Sequence, residues 1–156
     1  MTESLIGLKV PNFSAECTNE TTFRLEDEKG VNLVLYFYPK DDTPGCTSES
    51  QQFNGLVDAF HKLNCKIYGI SKDSIASHKK FKSKYNFSFE LLTDEDGKIC
   101  EMFNVMKMKN MYGRQYLGIE RSTFLINEKS EVIKEWRKVK VPGHADEVLQ
   151  TLKKRE

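Results

Sequence analysis

Leu33-Val-Leu-Tyr-Phe-Tyr-Pro-Lys-Asp-Asp-Thr-Pro-Gly-Cys46-Thr-Ser-Glu49 is the stretch on which the reading of this chain turns. Residues 33–38 form an apolar run of strand length. Pro39 ends it, because proline has no N–H to give to a sheet ladder. Residues 40–45 are a polar turn with Pro44 and Gly45 as breakers. Cys46 then stands at the mouth of a helix expected over residues 46–62. In that segment Phe53, Leu56, Val57, Phe60 and Leu63 recur at helical spacing, with Gln52, Asn54, Asp58 and Lys62 on the opposite face. Thr47, Ser48 and Glu49 fill its first turn. Unpaired N–H groups and the positive end of the helix dipole favour an anion at such a place, and so thiolate over thiol.

Working outward, residues 1–20 are polar and poorly periodic, with Val10-Pro11-Asn12-Phe13 expected to pack as an extended segment. Residues 21–25 predict a short strand and residues 26–30 a turn. Beyond the central helix, closed by Asn64, residues 66–71 predict a second apolar strand. Asp73 or Ser74 caps a helix that carries Ile75, His78, Phe81 and Tyr85 on one face. A short strand over residues 87–92, a turn at 94–97 and a short helix over 99–103 follow. Residues 104–118, rich in Lys and Met, are expected to be an irregular loop. Residues 121–126 and 132–136 form a hairpin around 127–130. Pro142-Gly143 precedes a last helix with Ala145, Val148, Leu149 and Leu152 on one face. Strands alternating with helices and closing on a hairpin make an α/β domain with an antiparallel edge. The pattern by itself leaves the choice among α/β folds open.

The 156 residues are enough for one domain with a single good core, and no repeat or linker divides them. Lys and Arg number 24 against 23 Asp and Glu, a net charge of +1. That balance argues against a phosphate-backbone partner. The longest apolar run is far short of a membrane span. The first residues lack the basic start and long apolar stretch of a secretory leader, so the expectation is a cytoplasmic chain with reduced thiols. Four cysteines are then structural, catalytic or metal-binding rather than a disulfide scaffold. His61, His78 and His144 make no metal-ligand pattern with them, and Asp94-Glu-Asp-Gly97 lacks the rest of a calcium loop. The Met residues from 102 to 111 are irregularly spaced and suit packing or loop roles. The basic run at 79–84 reads as a solvated helix face.

Pro39-x-x-x-Thr43-x-x-Cys46 resembles the active-site signature of peroxiredoxins. The fuller string Tyr-Pro-Lys-Asp-Asp-Thr-Pro-Gly-Cys-Thr-x-Glu is similar to the bacterioferritin comigratory protein branch, also called peroxiredoxin Q. The likeness runs from about residue 11 to about residue 152 and includes Gly118-Ile-Glu-Arg-Ser-Thr-Phe-Leu-Ile126, similar to the family's second signature. The resemblance implies a thioredoxin-like fold, a central mixed sheet flanked by helices, over residues 1–156. It implies a monomer that reduces hydrogen peroxide and organic hydroperoxides, with Cys46 as the attacking thiolate and Arg121 as the cation beside it. The Thr43 hydroxyl would line the same pocket, Pro39 would wall the sulfur off from bulk water, and Glu49 would orient Arg121. The product would be a Cys46 sulfenic acid. Sulfur does this chemistry without a cofactor or metal.

A sulfenic acid must be reduced, and here the chain departs from many relatives of that branch. Gln51 stands where a resolving cysteine five residues after Cys46 would be. Residues 78–86 hold no cysteine, and Lys82 and Ser83 occupy that alternative place. Cys65 lies beyond a helix of roughly 25 Å, whereas disulfide Cα atoms lie within about 7 Å. Cys100 and Cys17 are the remaining candidates for a resolving role, each with a packed, inert thiol as the plainer reading. The expectation is therefore a one-cysteine cycle, with thioredoxin or glutaredoxin and glutathione supplying the reducing thiol. A thioredoxin-like dithiol exchanger would need a second cysteine near the first, and residues 43 and 49 are Thr and Glu. A peroxide sensor or chaperone that relays oxidation to a partner is the non-enzymatic alternative.

Overall fold

A computed structural model describes residues 3–155. The apolar run at its centre becomes β3 (Asn32–Phe37), every residue of which is buried. Alternate side chains of a strand point to opposite faces, so burial throughout requires a packed core on each side of the sheet. Both are present. Leu33, Leu35 and Phe37 join one core, and Val34, Tyr36 and Tyr38 join the other.

The strands that flank β3 explain the alternating pattern. β4 (Cys65–Ser71) pairs with β3 in parallel, and β5 (Glu90–Thr93) pairs with β4 in parallel. β8 (Ser122–Ile126) runs antiparallel on the other side of β3, followed by β9 (Val132–Arg137). β1 (Ser14–Cys17) and β2 (Thr22–Arg24) complete the far edge, giving a seven-stranded mixed sheet in the order β2-β1-β5-β4-β3-β8-β9. Each parallel pair needs a helical crossover. Between β3 and β4 it is supplied by α1 (Pro44–Gly55) and α2 (Val57–Lys62), and between β4 and β5 by α3 (Ile75–Tyr85). Phe53, Phe60 and Phe81 of these helices pack with Val148 and Leu149 of α5 (His144–Lys153) over the Val34 face. α4 (Lys98–Met102) covers the Leu33 face with Ile99 and Cys100, beside Val10 and Phe13. Gly69 on β4 has no side chain because Tyr36 lies across it: a Cβ there would come within 2.7 Å of the Tyr36 ring. The ring thereby reaches α1, where its hydroxyl and Ser50 Oγ are 2.8 Å apart.

Four sequence expectations are corrected. The helix expected over residues 46–62 begins earlier, at Pro44, and is broken at Leu56. Gly55 is a poor helix former, and Leu56 (φ −112°, ψ 6°) closes the turn with a tighter bond to Phe53 O before α2 restarts. Residues 14–17 of the segment read as aperiodic form β1, because their backbone groups pair with β2 and β5. The strand expected over 87–92 is shorter and shifted, running Glu90–Thr93. Residues 104–118 are not an irregular loop. β6 (Met106–Met111) and β7 (Arg114–Ile119) form an antiparallel hairpin with Met111 opposite Arg114. The two-residue turn, Tyr112 at φ 53° and Gly113 at φ 78°, has the left-handed backbone that suits the twist of a tight hairpin.

Candidate active site

Pro44 opens α1 at the position where a missing N–H costs nothing, since the first-turn N–H groups have no helical partner. Thr43 is the N-cap residue but does not cap. Its hydroxyl donates instead to Lys40 O at 2.8 Å. The first helical bond runs from Thr47 N to Thr43 O at 2.8 Å. The N–H groups of Gly45 and Cys46 come before it and, like those of any helix start, have no acceptor within the helix. Having given its hydrogen to Lys40, the Thr43 oxygen is left with lone pairs and can only accept from a further partner.

Cys46, in this first turn, is 1% exposed. Arg121, just before β8, extends over it, with Nη1 and Nη2 each 3.5 Å from Sγ. Gly45 makes this approach possible, since a Cβ there would lie 3.1 Å from Arg121 Nη2. Arg121 Nη1 also donates to Glu49 Oε1 at 2.8 Å, one turn along α1 from the cysteine. Pro39 is exposed at the end of β3.

Glu49 is buried, at 1% exposure, and its Oε2 has no hydrogen-bond partner among the described residues. Burial pushes its carboxyl up to about 7, and Arg121 only partly offsets that. Burial also works against the Arg121 charge, but Glu49 and Cys46 outweigh it and hold Arg121 above its usual value.

A second network fixes the turn before the cysteine, and sequence reading missed it. Asp41 Oδ1 accepts from Tyr38 Oη at 2.6 Å, and Oδ2 accepts from Ser77 Oγ at 2.7 Å. His78 Nδ1 lies 2.7 Å from the same Oδ2, and its Nε2 lies 3.0 Å from Leu92 O. Asp41 N donates to Asp73 Oδ2 at 2.9 Å, and Asp42 is held by Lys84 Nζ at 2.7 Å and Tyr85 Oη at 2.6 Å. Asp42 itself has φ 57°. Asp41, Asp73 and His78 offer three potential ligand atoms within 4.8 Å of one another. Those atoms are already engaged with each other and with protein donors, so the cluster reads as a clamp between the turn and α3. A signal was available: a histidine on the apolar face of a helix needs a buried polar partner, and two aspartates lie in the turn.

The other cysteines are placed apart. Cys17 and Cys100 belong to the Leu33 core, whereas Cys46 belongs to the core on the opposite face of the sheet. Cys65 shares the Cys46 core, at the start of β4. All four thiols are free, and all are buried. Burial raises the thiols of Cys17 and Cys100 and pushes Cys65 up to about 12.

A buried sulfur under a guanidinium that is braced by a carboxylate suits attack on a small electrophile, followed by stabilisation of a negatively charged leaving atom. Comparison with known proteins points the same way. A family model, the AhpC/TSA family, matches residues 6–135. Peroxiredoxin Bcp of Bacillus subtilis (strain 168) is 50% identical over 148 residues, covering 95% of this chain and 94% of its own. Peroxiredoxin Bcp of Xanthomonas campestris is 48% identical over 155 residues, covering 98% and 97%. A cysteine mutant of Xylella fastidiosa PrxQ superposes with a TM-score of 0.94 at 42% identity, covering 99% of each chain. A structure of the Xanthomonas campestris bacterioferritin comigratory protein, concerned with its alkyl peroxide reduction activity, has a TM-score of 0.88 at 49% identity and covers 92% and 91%.

Proposed function

The chain belongs to the AhpC/TSA family, among its Bcp/PrxQ peroxiredoxins with their thioredoxin-like fold, and from that footing we propose that it reduces hydrogen peroxide and organic hydroperoxides through Cys46. The observation that carries the reading is the pair of 3.5 Å contacts from Arg121 to Cys46 Sγ, with Arg121 held by Glu49.

In this reading the Cys46 thiolate attacks the nearer peroxide oxygen. The S–O bond forms as the O–O bond breaks, and the leaving alkoxide or hydroxide takes a proton to become alcohol or water. Arg121 and the N–H groups of Gly45 and Cys46 face the charge that moves to the leaving oxygen. Thr43, its hydroxyl hydrogen committed to Lys40, accepts the peroxide O–H and aligns the bond with the sulfur. Pro39 stands on the solvent side. The product is the sulfenic acid of Cys46.

The cycle is of the one-cysteine type, completed by an external thiol in a monomeric, cytoplasmic enzyme. The placement of Cys17 and Cys100 across the sheet supports this, as do the raised thiols of Cys17, Cys65 and Cys100. The reductant is thioredoxin, or glutathione with glutaredoxin. The test is peroxide turnover with each reducing system supplied separately, beside Cys46→Ser. Turnover that vanishes in the variant is expected. Consumption of peroxide by the serine variant at the wild-type rate would overturn the assignment. Mass spectrometry after one equivalent of peroxide should show an added oxygen; an internal disulfide would overturn the one-cysteine cycle.

A further inference from the structure

The β6–β7 hairpin is absorbed by neither the sheet nor the catalytic turn. It forms a sheet of its own two strands. Its base is anchored: Ile119 is part of the Leu33 core and Met106 packs against it. Met106 and Ile119 are opposite each other in the register, so alternation assigns Met108 and Leu117 to the same face. The other face carries Lys107, Lys109, Met111, Arg114, Tyr116 and Gly118. That face holds three cations and no acidic residue, and Met111, Arg114 and Tyr116 on it are exposed.

Lys109 carries this face towards the strand that ends near Arg121. Gly118 has no side chain at the point where the lysine stem crosses β7. A Cβ there would meet Lys109 Cδ at 3.2 Å, Lys109 Cε at 3.4 Å and Tyr116 Cε2 at 3.1 Å. The stem therefore lies over the strand that leads to Arg121. Its ammonium feels both ends of the catalytic pair. Burial and repulsion from Arg121 hold its pKa below the usual lysine value, while Cys46 and Glu120 pull it up. Neither Lys109 nor Arg114 makes an ion pair within 4 Å among the described residues.

We propose that this cationic hairpin face, with Lys109 over Gly118 and Arg114 beside the turn, recruits a low-molecular-weight thiol that carries a carboxylate and serves as the reductant of oxidised Cys46. The inference rests on the peroxidase reading above. Charge complementarity selects the occupant: Lys109 and Arg114 make no ion pair within 4 Å among the described residues, and oxidised Cys46 must receive its electrons from outside. The chemistry balances with two thiols. The first thiolate attacks Cys46 Sγ, the S–S bond forms, the S–O bond breaks, and hydroxide leaves and is protonated to water. A second thiolate attacks the outer sulfur, releasing the small disulfide and the Cys46 thiolate. Two electrons pass from the thiols to the sulfenic sulfur. The carboxylate of the first thiol sits against Lys109 and Arg114 while its sulfur approaches.

The test uses the full chain and three thiols of similar size: 3-mercaptopropionate, 2-mercaptoethanol and cysteamine, carrying a negative charge, none and a positive charge. Cys46 is first oxidised with one equivalent of hydrogen peroxide, and sulfenic acid is confirmed by mass. Mixed-disulfide formation is then timed at equal thiolate concentrations. At low salt, mercaptopropionate is expected to react on the order of tenfold faster than cysteamine, with mercaptoethanol between, and the ratio should shrink at high salt. The same ratio should fall towards one in Lys109→Gln with Arg114→Gln, and invert in Lys109→Glu with Arg114→Glu. Intrinsic differences among the thiols cancel between wild type and variant. A wild-type ratio unaffected by salt, or one unchanged in the variants, overturns the proposal while leaving the peroxidase reading in place. Failure to form sulfenic acid in the first step overturns both.

Discussion

Arg121 sets both of its terminal nitrogens 3.5 Å from Cys46 Sγ, and one of them is simultaneously 2.8 Å from Glu49 Oε1. A planar fork is needed to span sulfur and carboxylate together, which a lysine ammonium cannot reproduce. Arg121→Lys should therefore lower the second-order rate of Cys46 with hydrogen peroxide by roughly 100-fold, the scale of removing a positioned charge donor. Stopped-flow oxidation measures it, and a fall under threefold would remove Arg121 from the reaction.

Gly45→Ala separates reactivity from stability. The added methyl would lie 3.1 Å from Arg121 Nη2, so the guanidinium must shift. Alanine is a better helix former than glycine by about 0.5–1 kcal/mol, so the melting temperature should hold or rise. The oxidation rate should still fall, on the order of tenfold. Equal rates in the two proteins would mean that Arg121 is free to move without consequence.

Glu49 makes a pH prediction. Its folded pKa is about 7, above the ordinary glutamate value of 4.5. Between those values the folded chain holds a proton that the unfolded chain has lost, so the Glu49 contribution to stability declines as pH rises through this window. Glu49→Gln is neutral at every pH. Denaturant unfolding should find the variant gaining on wild type between pH 5 and pH 8. A difference that is flat across that range would show that the carboxyl does not titrate there.

His144 works with the opposite sign. Burial, together with Arg121, pushes its imidazole down to about 4 from 6.5, and its Nε2 lies 2.7 Å from Thr123 Oγ1. Between pH 6.5 and 4 the unfolded chain binds a proton that the folded chain refuses. Stability is present above that window and is lost as pH falls through it, by at most about 1.4 kcal/mol for each pH unit crossed. His144→Gln should flatten this acid limb. The slopes of Glu49 and His144 oppose each other between pH 4.5 and 6.5, so only the two variants measured separately reveal either one.

Asp41→Asn tests the clamp on the turn. It replaces one of the two buried carboxylate oxygens that hold Tyr38, Ser77 and His78 with an N–H donor, beside a His78 that is 0% exposed, and a buried polar group left without its partner costs about 1–3 kcal/mol. Urea unfolding should show this loss. The variant should also expose Cys46 to a bulky maleimide more often than wild type, because the turn carrying it is held to α3 through Asp41. Unchanged labelling would show that Asp42 and its partners suffice.

The local parts of this protein were legible in the order of residues alone. An unbroken apolar run with Pro39 behind it marks β3, helical spacing of Phe53, Val57 and Phe60 marks the helices that follow, and Ser74 accepts from Ser77 N at 3.1 Å as a cap should. These are short-range effects, set by backbone freedom and by which neighbours share a face. The same is true of Cys46 at a helix start. The period-two alternation of Met and Lys at 106–109 was also present, but a hairpin is stabilised by its cross-strand partner, and its turn at Tyr112-Gly113 carries no common turn pair. The break at Leu56 follows Gly55, a poor helix former, but the apolar spacing runs on across it, so periodicity alone reads one helix.

What the tertiary structure decided was proximity between distant segments. Arg121 is 75 positions from Cys46; antiparallel pairing of β8 with β3 brings it to the start of α1. The sheet between the two cores separates Cys17 and Cys100 from Cys46. His78 becomes the partner of Asp41 because α3 packs beside the turn. Such relationships depend on strand order and register, which no local pattern encodes. Charge and hydrogen-bond energies fall steeply with distance, so the chemistry of the site became definite only once those distances were set.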